Sequence, residues 1–413
     1  MKGWSELADQ SECDSSIKTT DRVRLVYGIT IGRSAYSFLR GQLEWFKERG
    51  YDVTLVTSPD ESAKSAADRE GVSLTSIPMA RELSPKLDLA ALISWIRELR
   101  KLQPHIVNIS TPKAGLLGGL AAWLLRVPKR VYVVRGLRLE GASGLKRIIL
   151  WCVEWSTHRL ATDVVYVSQS LAKEGSELRL VPPKGGWVIG HGSSNGVFAE
   201  AVAERAATMD APLLGQGLSI PTGAFVVGFV GRLNHDKGVD TLIRALSNPY
   251  INPKVHLLVI GPVEDSVLVE QLASLSIGVS TVGWTNDVWG YLSVVDTLVL
   301  PTRREGFPNV VLEAASAGIP AITTRATGAV DSVIDGETGY LIDVDDSDAL
   351  TERINQLAAR PELAQVLGEN AAERARNDYR PEIIWQGLAD ILEGVASSEH
   401  AVRIQHQSVG NGR

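Results

Sequence analysis

The feature that most constrains this chain is a regular alternation of two kinds of segment. Short runs rich in Val and Ile recur along the first half: VRLVYGI (23–29), DVTLVTS (52–58), VSLTSIP (72–78), HIVNIS (105–110), RVYVVRG (130–136) and DVVYVS (163–168). Helical stretches such as SFLRGQLEWFKERG, DLAALISWIRELRKL and LKRIILWCVEWSTHRL lie between them. Near-continuous apolar strands predict burial on both faces, and crossover helices predict a parallel sheet. A second series follows, with AFVVGFVG (224–231), VHLLVIG (255–261), DTLVLPT (296–302), PAITT (320–324) and TGYLID (338–343). The reading is an α/β chain of two Rossmann-like, doubly wound domains, with a cleft between the carboxyl edges of their sheets.

Boundaries fall where the alternation stops. Residues 1–21 are polar and acidic; they are expected to form a disordered leader and do not read as a secretory signal. The first domain is placed at 22–198, a linker region without clear periodicity at 199–222, and the second domain at 223–380. A helix at 381–396 is expected to pack back on the first domain, and 397–413 to be a disordered tail. Two cysteines cannot make a disulfide framework, which suits a reducing cytoplasm. A net charge of −6 does not favour nucleic acid as a partner. The longest apolar stretch, AGLLGGLAAWLL (114–125), is shorter than the roughly 20 residues needed to span a bilayer. Charge is nonetheless uneven. From Lys113 to Arg159 nine Lys or Arg face only Glu140 and Glu154. This basic, Trp-containing segment is expected to meet anionic lipid, placing a cytoplasmic protein peripherally on the inner membrane surface.

Two stretches of the second domain carry the chemistry. In GFVGRLNHDKGVDTLIRAL a glycine turn and two cations, Arg232 and Lys237, follow an apolar strand and precede a helix. Such a turn binds phosphate through backbone amides, the positive end of the helix dipole and the cations themselves. In PTRREGFPNVVLEAASAGIPAI, Glu305 and Glu313 stand eight positions apart with Gly306 and Pro308 between them, so one unbroken helix cannot carry both. Glu305 is expected on a loop, Asn309 as the N-cap of the next helix, and Glu313 one turn inside it. A buried carboxylate there suits a ribose diol, the free amides suit phosphates, and Glu305 suits the hydroxyls of a sugar. The acidic run DVDDSD (343–348) reads as a helix start capped by Asp346 or Ser347, and the histidines show no metal spacing.

These motifs resemble those of the family 4 glycosyltransferases of GT-B fold: E-x7-E at Glu305 and Glu313, and G-x-x-x-x-x-K-G at Gly231, Lys237 and Gly238. PMARELSPKLDL (78–89), STPKAGLLGGLAA (110–122), VRGLRLEGASGLKR (134–147) and GHGSSNGV (190–197) are similar to the branch that elongates polyprenyl-diphosphate-linked glycans for bacterial surface polysaccharides. The resemblance implies a retaining, metal-independent hexosyl- or N-acetylhexosaminyl-transferase with no cofactor. Its co-substrate would be a nucleotide sugar, most often UDP-linked, and its acceptor a polyprenyl-diphosphate-linked glycan. It gives Glu305, Arg232, Lys237 and Ser110 catalytic roles. Donor contacts fall to Gly32, Gly231, Arg232, Lys237, Glu305, Gly306, Phe307, Asn309, Val310 and Glu313, and acceptor contacts to Arg33, Arg81, Lys113, Arg135 and Arg138. Where many relatives read H-x-H-T-P-K after the fourth strand, this chain reads Asn108-Ile-Ser110-Thr111-Pro112-Lys113, and a serine cannot carry charge at neutral pH. That departure keeps open a soluble acceptor, epimerase chemistry, or a non-catalytic nucleotide-sugar-binding partner.

Overall fold

The computed structural model describes residues 22–80, 84–395 and 400–404; the leader at 1–21 and Arg81 lie outside the described residues. Seven parallel strands build the first sheet: β1 (Arg24–Gly28), β2 (Asp52–Thr57), β3 (Ser73–Ser76), β4 (Ile106–Ser110), β5 (Lys129–Val134), β6 (Asp163–Tyr166) and β7 (Gly186–Ile189). The second is wholly parallel: β8 (Phe225–Val230), β9 (Val255–Ile260), β10 (Gly278–Val282), β11 (Thr297–Leu300), β12 (Ala321–Thr324) and β13 (Gly339–Ile342). An eighth strand, β14 (Ala401–Ile404), runs antiparallel to β7 at the edge of the first sheet. The spatial orders are β14-β7-β6-β5-β4-β1-β2-β3 and β10-β9-β8-β11-β12-β13.

Central strands such as β4 and β9 are buried at every position, as expected where helices cover both faces. Helices Pro85–Leu102 and Pro112–Leu124 close one face of the first sheet around Trp95, Leu99 and Ile109. A Cβ at Gly28 would lie 2.8 Å from the Trp95 ring, so glycine is what lets that indole lie on β1.

Three expectations are corrected. The region 199–222, read as a linker without clear periodicity, is helical: it holds helices Ala199–Ala207 and Ala211–Gly217, the second capped by Asp210, whose side chain accepts from Leu213 N. The first is tied to the second domain by Arg205, which donates to both carboxylate oxygens of Asp287 (3.0 and 2.5 Å). The stretch 397–413 is not wholly a free tail, since four of its residues form β14 and pair with β7. Strand β7 was not anticipated, nor was the short edge strand β10. Its sequence, GVSTV, is half polar and mostly unburied, so it lacks the apolar run that marks its neighbours.

Helix Pro381–Glu393 crosses to the first domain. Trp385 lies against Trp45 and Phe198 and donates its indole N–H to Asn195 Oδ1 (2.7 Å), while Tyr51 Oη donates to Glu393 (2.7 Å). The two domains are therefore held by a packed aromatic joint as well as by the chain that connects them.

Candidate active site

Each sheet reverses its strand order once, between β1 and β4 in the first domain and between β8 and β11 in the second. At such a reversal the flanking loops part and leave a crevice at the carboxyl edge where ligands bind. In the second domain these loops are 231–238 and 301–308. They meet at Gly238, which has φ +68 and where a Cβ would lie 1.8 Å from the Pro301 carbonyl oxygen. The close approach sets Lys237 Nζ against Glu305 Oε1 as a hydrogen-bonded ion pair, both side chains largely buried. Around it Arg304 donates to Asp236 (2.5 Å), and Arg303 grips Asp240 through both Nη atoms (2.8 and 2.7 Å). Arg232 is turned to the next loop, where it makes a two-pronged bond to Glu264 (3.0 and 2.8 Å).

Gly231 has room for a side chain, its nearest neighbour being 3.6 Å from a built Cβ, so packing within the protein does not demand glycine there. Gly306 differs: a Cβ would fall 2.3 Å from the Arg135 carbonyl oxygen of the first domain. Phe307 is buried with its ring 5.5 Å from that of Tyr379, which leaves only its backbone to the crevice. Pro308, not Asn309, occupies the cap position of helix Asn309–Ser316, correcting the expected N-cap. Asn309 is the first helical residue, and its side-chain Oδ1 is buried with no hydrogen-bond partner among the described residues. The amides of Asn309 and Val310, at the helix start, have no intrahelical acceptor.

Glu313 follows one turn inside. Burial pushes its carboxyl above the usual carboxylate range, opposed by a hydrogen bond from Trp289 and the charge of Arg40. With Asn309 it lines a cavity of about 430 Å³ between the domains. Arg40 and Arg33 cover this cavity from the first domain, their guanidinium carbons 5.0 Å from the Trp289 ring centre and 5.4 Å from that of Trp284. Arg33, expected at the acceptor, thus lines the same cavity as Glu313. Sequence reasoning missed Arg40, Trp284 and Trp289; the tryptophans follow β10, the strand it did not find. A larger open hollow of about 1260 Å³ lies at the amino edge of the second sheet, beside Phe225 and Asp296, far from the loops that carry charge. We assign the chemistry to the smaller cavity because ligands of parallel sheets collect at the carboxyl edge.

At the first domain's reversal the side chains that meet are hydroxyls, with the ions set around them. Ser110 ends β4 and is buried. Thr111, next to it, holds φ +74, a backbone region that a β-branched residue rarely adopts. Thr30 pins it, the two hydroxyls lying 2.6 Å apart and Thr30 N donating to Thr111 Oγ1 (3.1 Å). The Gly32 amide is bound to Asp60 Oδ2 (3.1 Å), and a Cβ there would strike the same carboxylate, so packing against Asp60 already requires glycine at this position. Lys113 is paired with Asp88 (2.6 Å). Arg135 is drawn inward, over the Phe38 ring and onto the Ser194 carbonyl (3.0 Å), and burial lowers its pKa to about 10, so it is no open acceptor cation. Arg138 is exposed at the start of the turn Arg138–Gly141.

Two Rossmann-like domains facing across a crevice, with paired charges and a partly buried carboxylate on the second, form the GT-B arrangement. Residues 37–189 match the glycosyl transferase 4-like domain and residues 214–374 the glycosyl transferases group 1 family. The chain is 34% identical over 374 residues to the capsular polysaccharide biosynthesis glycosyltransferase CapM of Staphylococcus aureus, spanning 88% of this chain and 95% of that one. It is 25% identical over 352 residues to the UDP-Gal:alpha-D-GlcNAc-diphosphoundecaprenol alpha-1,3-galactosyltransferase of Escherichia coli, covering 82% and 88%. Among solved structures, Anabaena Alr3699/HepE in complex with UDP and glucose aligns with a TM-score of 0.75 at 20% identity, over 90% of this chain and all of that one. The chain belongs to the GT-B glycosyltransferases of bacterial surface-polysaccharide synthesis.

Proposed function

We propose that this glycosyltransferase moves a sugar from a UDP-linked donor to a polyprenyl-diphosphate-linked glycan, retaining anomeric configuration and using no metal, at the inner face of the membrane. The observation that carries the reading is the grouping at the second domain's crevice: Glu313 in its cavity, the amides at the start of helix Asn309–Ser316, and the Lys237–Glu305 pair. A ribose diol would donate to Glu313. The diphosphate would lie over the helix start, where the dipole favours an anion, with Lys237 beside it. Sugar hydroxyls would reach Glu305. As the glycosidic bond breaks, charge develops on the leaving diphosphate, and a fixed ammonium and oriented amides stabilise it without reorganisation. The acceptor hydroxyl would enter on the face the phosphate leaves and give its proton to the departing oxygen. Ser110 can donate one hydrogen bond at the opposite wall.

Two things support the acceptor and its location. The Escherichia coli relative is named for a diphosphoundecaprenol-linked acceptor. The first half of helix Gly144–Leu160 stands out from the body, with Leu145 72% and Ile148 59% exposed beside exposed Lys146 and Arg147. Apolar tips among cations suit an interface with anionic lipid, and no described helix is long and apolar enough to cross a membrane.

The test is UDP release from a panel of UDP-sugars, in EDTA, with and without polyprenyl-diphosphate-linked acceptors in vesicles. Release should require the lipid acceptor, survive EDTA and fall roughly 100- to 1000-fold in Lys237→Ala. Release that stops in EDTA removes the metal-free mechanism. Release unchanged by any lipid acceptor removes the acceptor assignment.

A further inference from the structure

The loop that carries Glu305 is docked on the first domain. Gly306 rests on the Arg135 carbonyl, Glu305 N donates to Thr327 O (2.9 Å), and Gly328, with φ +75, closes on the Gly306 carbonyl. Facing this loop is the first-domain turn Arg138–Gly141. A Cβ at Gly141 would lie 2.9 Å from Arg304 Nε, so turn and loop are in direct contact. Glu140 is partly buried in that contact, its Oε1 fully so, and Thr327 and Arg304 both favour its charged form. Arg304 in turn holds Asp236, the neighbour of Lys237. Two buried atoms of opposite character here, Glu140 Oε1 and Arg304 Nε, have no hydrogen-bond partner among the described residues. A contact that buries a carboxylate and a guanidinium without satisfying either in full is a poor permanent interface and a good reversible one.

We propose that Glu140 is a positioning residue for sugar transfer: through Thr327 and Arg304 its carboxyl holds the 302–308 loop, and with it Glu305 and Lys237, against the first domain. The inference rests on the donor reading above, because that reading is what gives the loop its task. The charge of Glu140 then governs docking. Burial in the contact pushes its carboxyl up to about 7, and Glu174 on helix Gln169–Glu177 adds repulsion; Thr327, Arg304 and Arg147 on helix Gly144–Leu160 pull the other way. A carboxyl whose pKa rises on docking favours the docked state while protonated and opposes it once ionised. Docking therefore tightens below about pH 7 and loosens as pH rises through it. A shift from the ordinary 4.5 to about 7 corresponds to about a tenfold change in the docking equilibrium between pH 6 and pH 8.

Hydrogen exchange on the full chain tests this, with rates corrected for intrinsic pH dependence and UDP as the probe ligand. In the wild type the 302–307 amides should exchange about tenfold faster at pH 8 than at pH 6. Glu140→Gln should keep them slow at both values, and Glu140→Ala should leave them fast at both, with β4 and β8 protected in every variant as proof of folding. A Glu140→Gln protein that keeps the wild-type pH response, or a Glu140→Ala protein whose loop is as protected as wild type, overturns the assignment. UDP should slow exchange in helix Asn309–Ser316 in all three proteins. If it does not, the donor reading fails, and the loop measurements, made without ligand, still decide whether Glu140 controls docking.

Discussion

The two domains share one topology and differ at the place where each reverses its strand order. At the first reversal the groups that meet are hydroxyls, Thr30 against Thr111, with Ser110 buried beside them. At the second they are ions: Lys237 against Glu305, Arg304 against Asp236, Arg303 against Asp240. Under the function proposed above, the difference follows from what each edge would have to meet. A nucleoside diphosphate presents a diol and fixed anionic charge in one order, so charges can be laid out for it in advance. An acceptor hydroxyl is neutral, and the lipid behind it is apolar. The first domain accordingly keeps Lys146 and Arg147 on an outer helix and away from the reversal.

The change that should break this contrast most is Glu313→Gln. Charge-assisted hydrogen bonds contribute about 1.5–3 kcal/mol each, and a ribose diol would make two of them, so UDP affinity should fall on the order of 100-fold by calorimetry. Stability should move the other way. Burial raises the Glu313 pKa, so its ionised form is a cost to the folded state that is absent at low pH and grows as pH rises through the folded value. The Gln variant should therefore gain more thermal stability over wild type at pH 8 than at pH 5. A variant that lost stability at both values, with UDP affinity intact, would mean that Glu313 serves the core alone.

Next in size is a change confined to the first domain. Leu145→Glu with Ile148→Glu removes two exposed apolar side chains beside Lys146 and Arg147. Full burial of such a side chain stabilises by about 1.5–3 kcal/mol, and at an interface only part of that is realised. Co-sedimentation with anionic vesicles should weaken about tenfold, while UDP affinity stays as in wild type. Equal sedimentation of both proteins would place lipid contact elsewhere.

What was legible in the sequence was that two charged loops meet at the second domain's strand reversal, and the reason is geometric. A ligand crevice at a strand reversal is made from two strand-to-helix loops, and each loop is contiguous in sequence. Gly231 to Gly238 and Glu305 to Glu313 therefore announce themselves by spacing. The same order of strand, loop and helix made most of both sheets readable; β7 and β14 were not read as strands, and β10 was missed because its GVSTV is too polar to stand out. The cavity's other wall was not legible. Arg40 and Trp289 are far apart in sequence and meet only because the domains face each other. Arg135 shows the converse. An arginine just past a strand reads as a ligand cation, and only the tertiary structure shows it turned inward onto Phe38 and Ser194.

The smallest expected effect probes the acceptor side's cation most directly. Lys113 and Asp88 are paired at 2.6 Å with side chains only 10% and 19% exposed, so the pair is better shielded than a surface bridge. Exposed pairs contribute about 0–1 kcal/mol, and this one belongs at or slightly above the top of that range. Lys113→Met keeps the apolar stem and removes the charge. Asp88 would still accept from Ser84 N (3.1 Å), so the carboxylate left behind is not stranded. The thermal midpoint should fall by about 2–4 °C, the shift expected for about 1 kcal/mol in a domain of this size. UDP affinity should not move, because nothing in the second domain's crevice depends on this lysine. A parallel loss of UDP affinity would mean that Lys113 reaches across to the diphosphate, and the division between ions meeting at the donor edge and hydroxyls meeting at the acceptor edge would have to be redrawn.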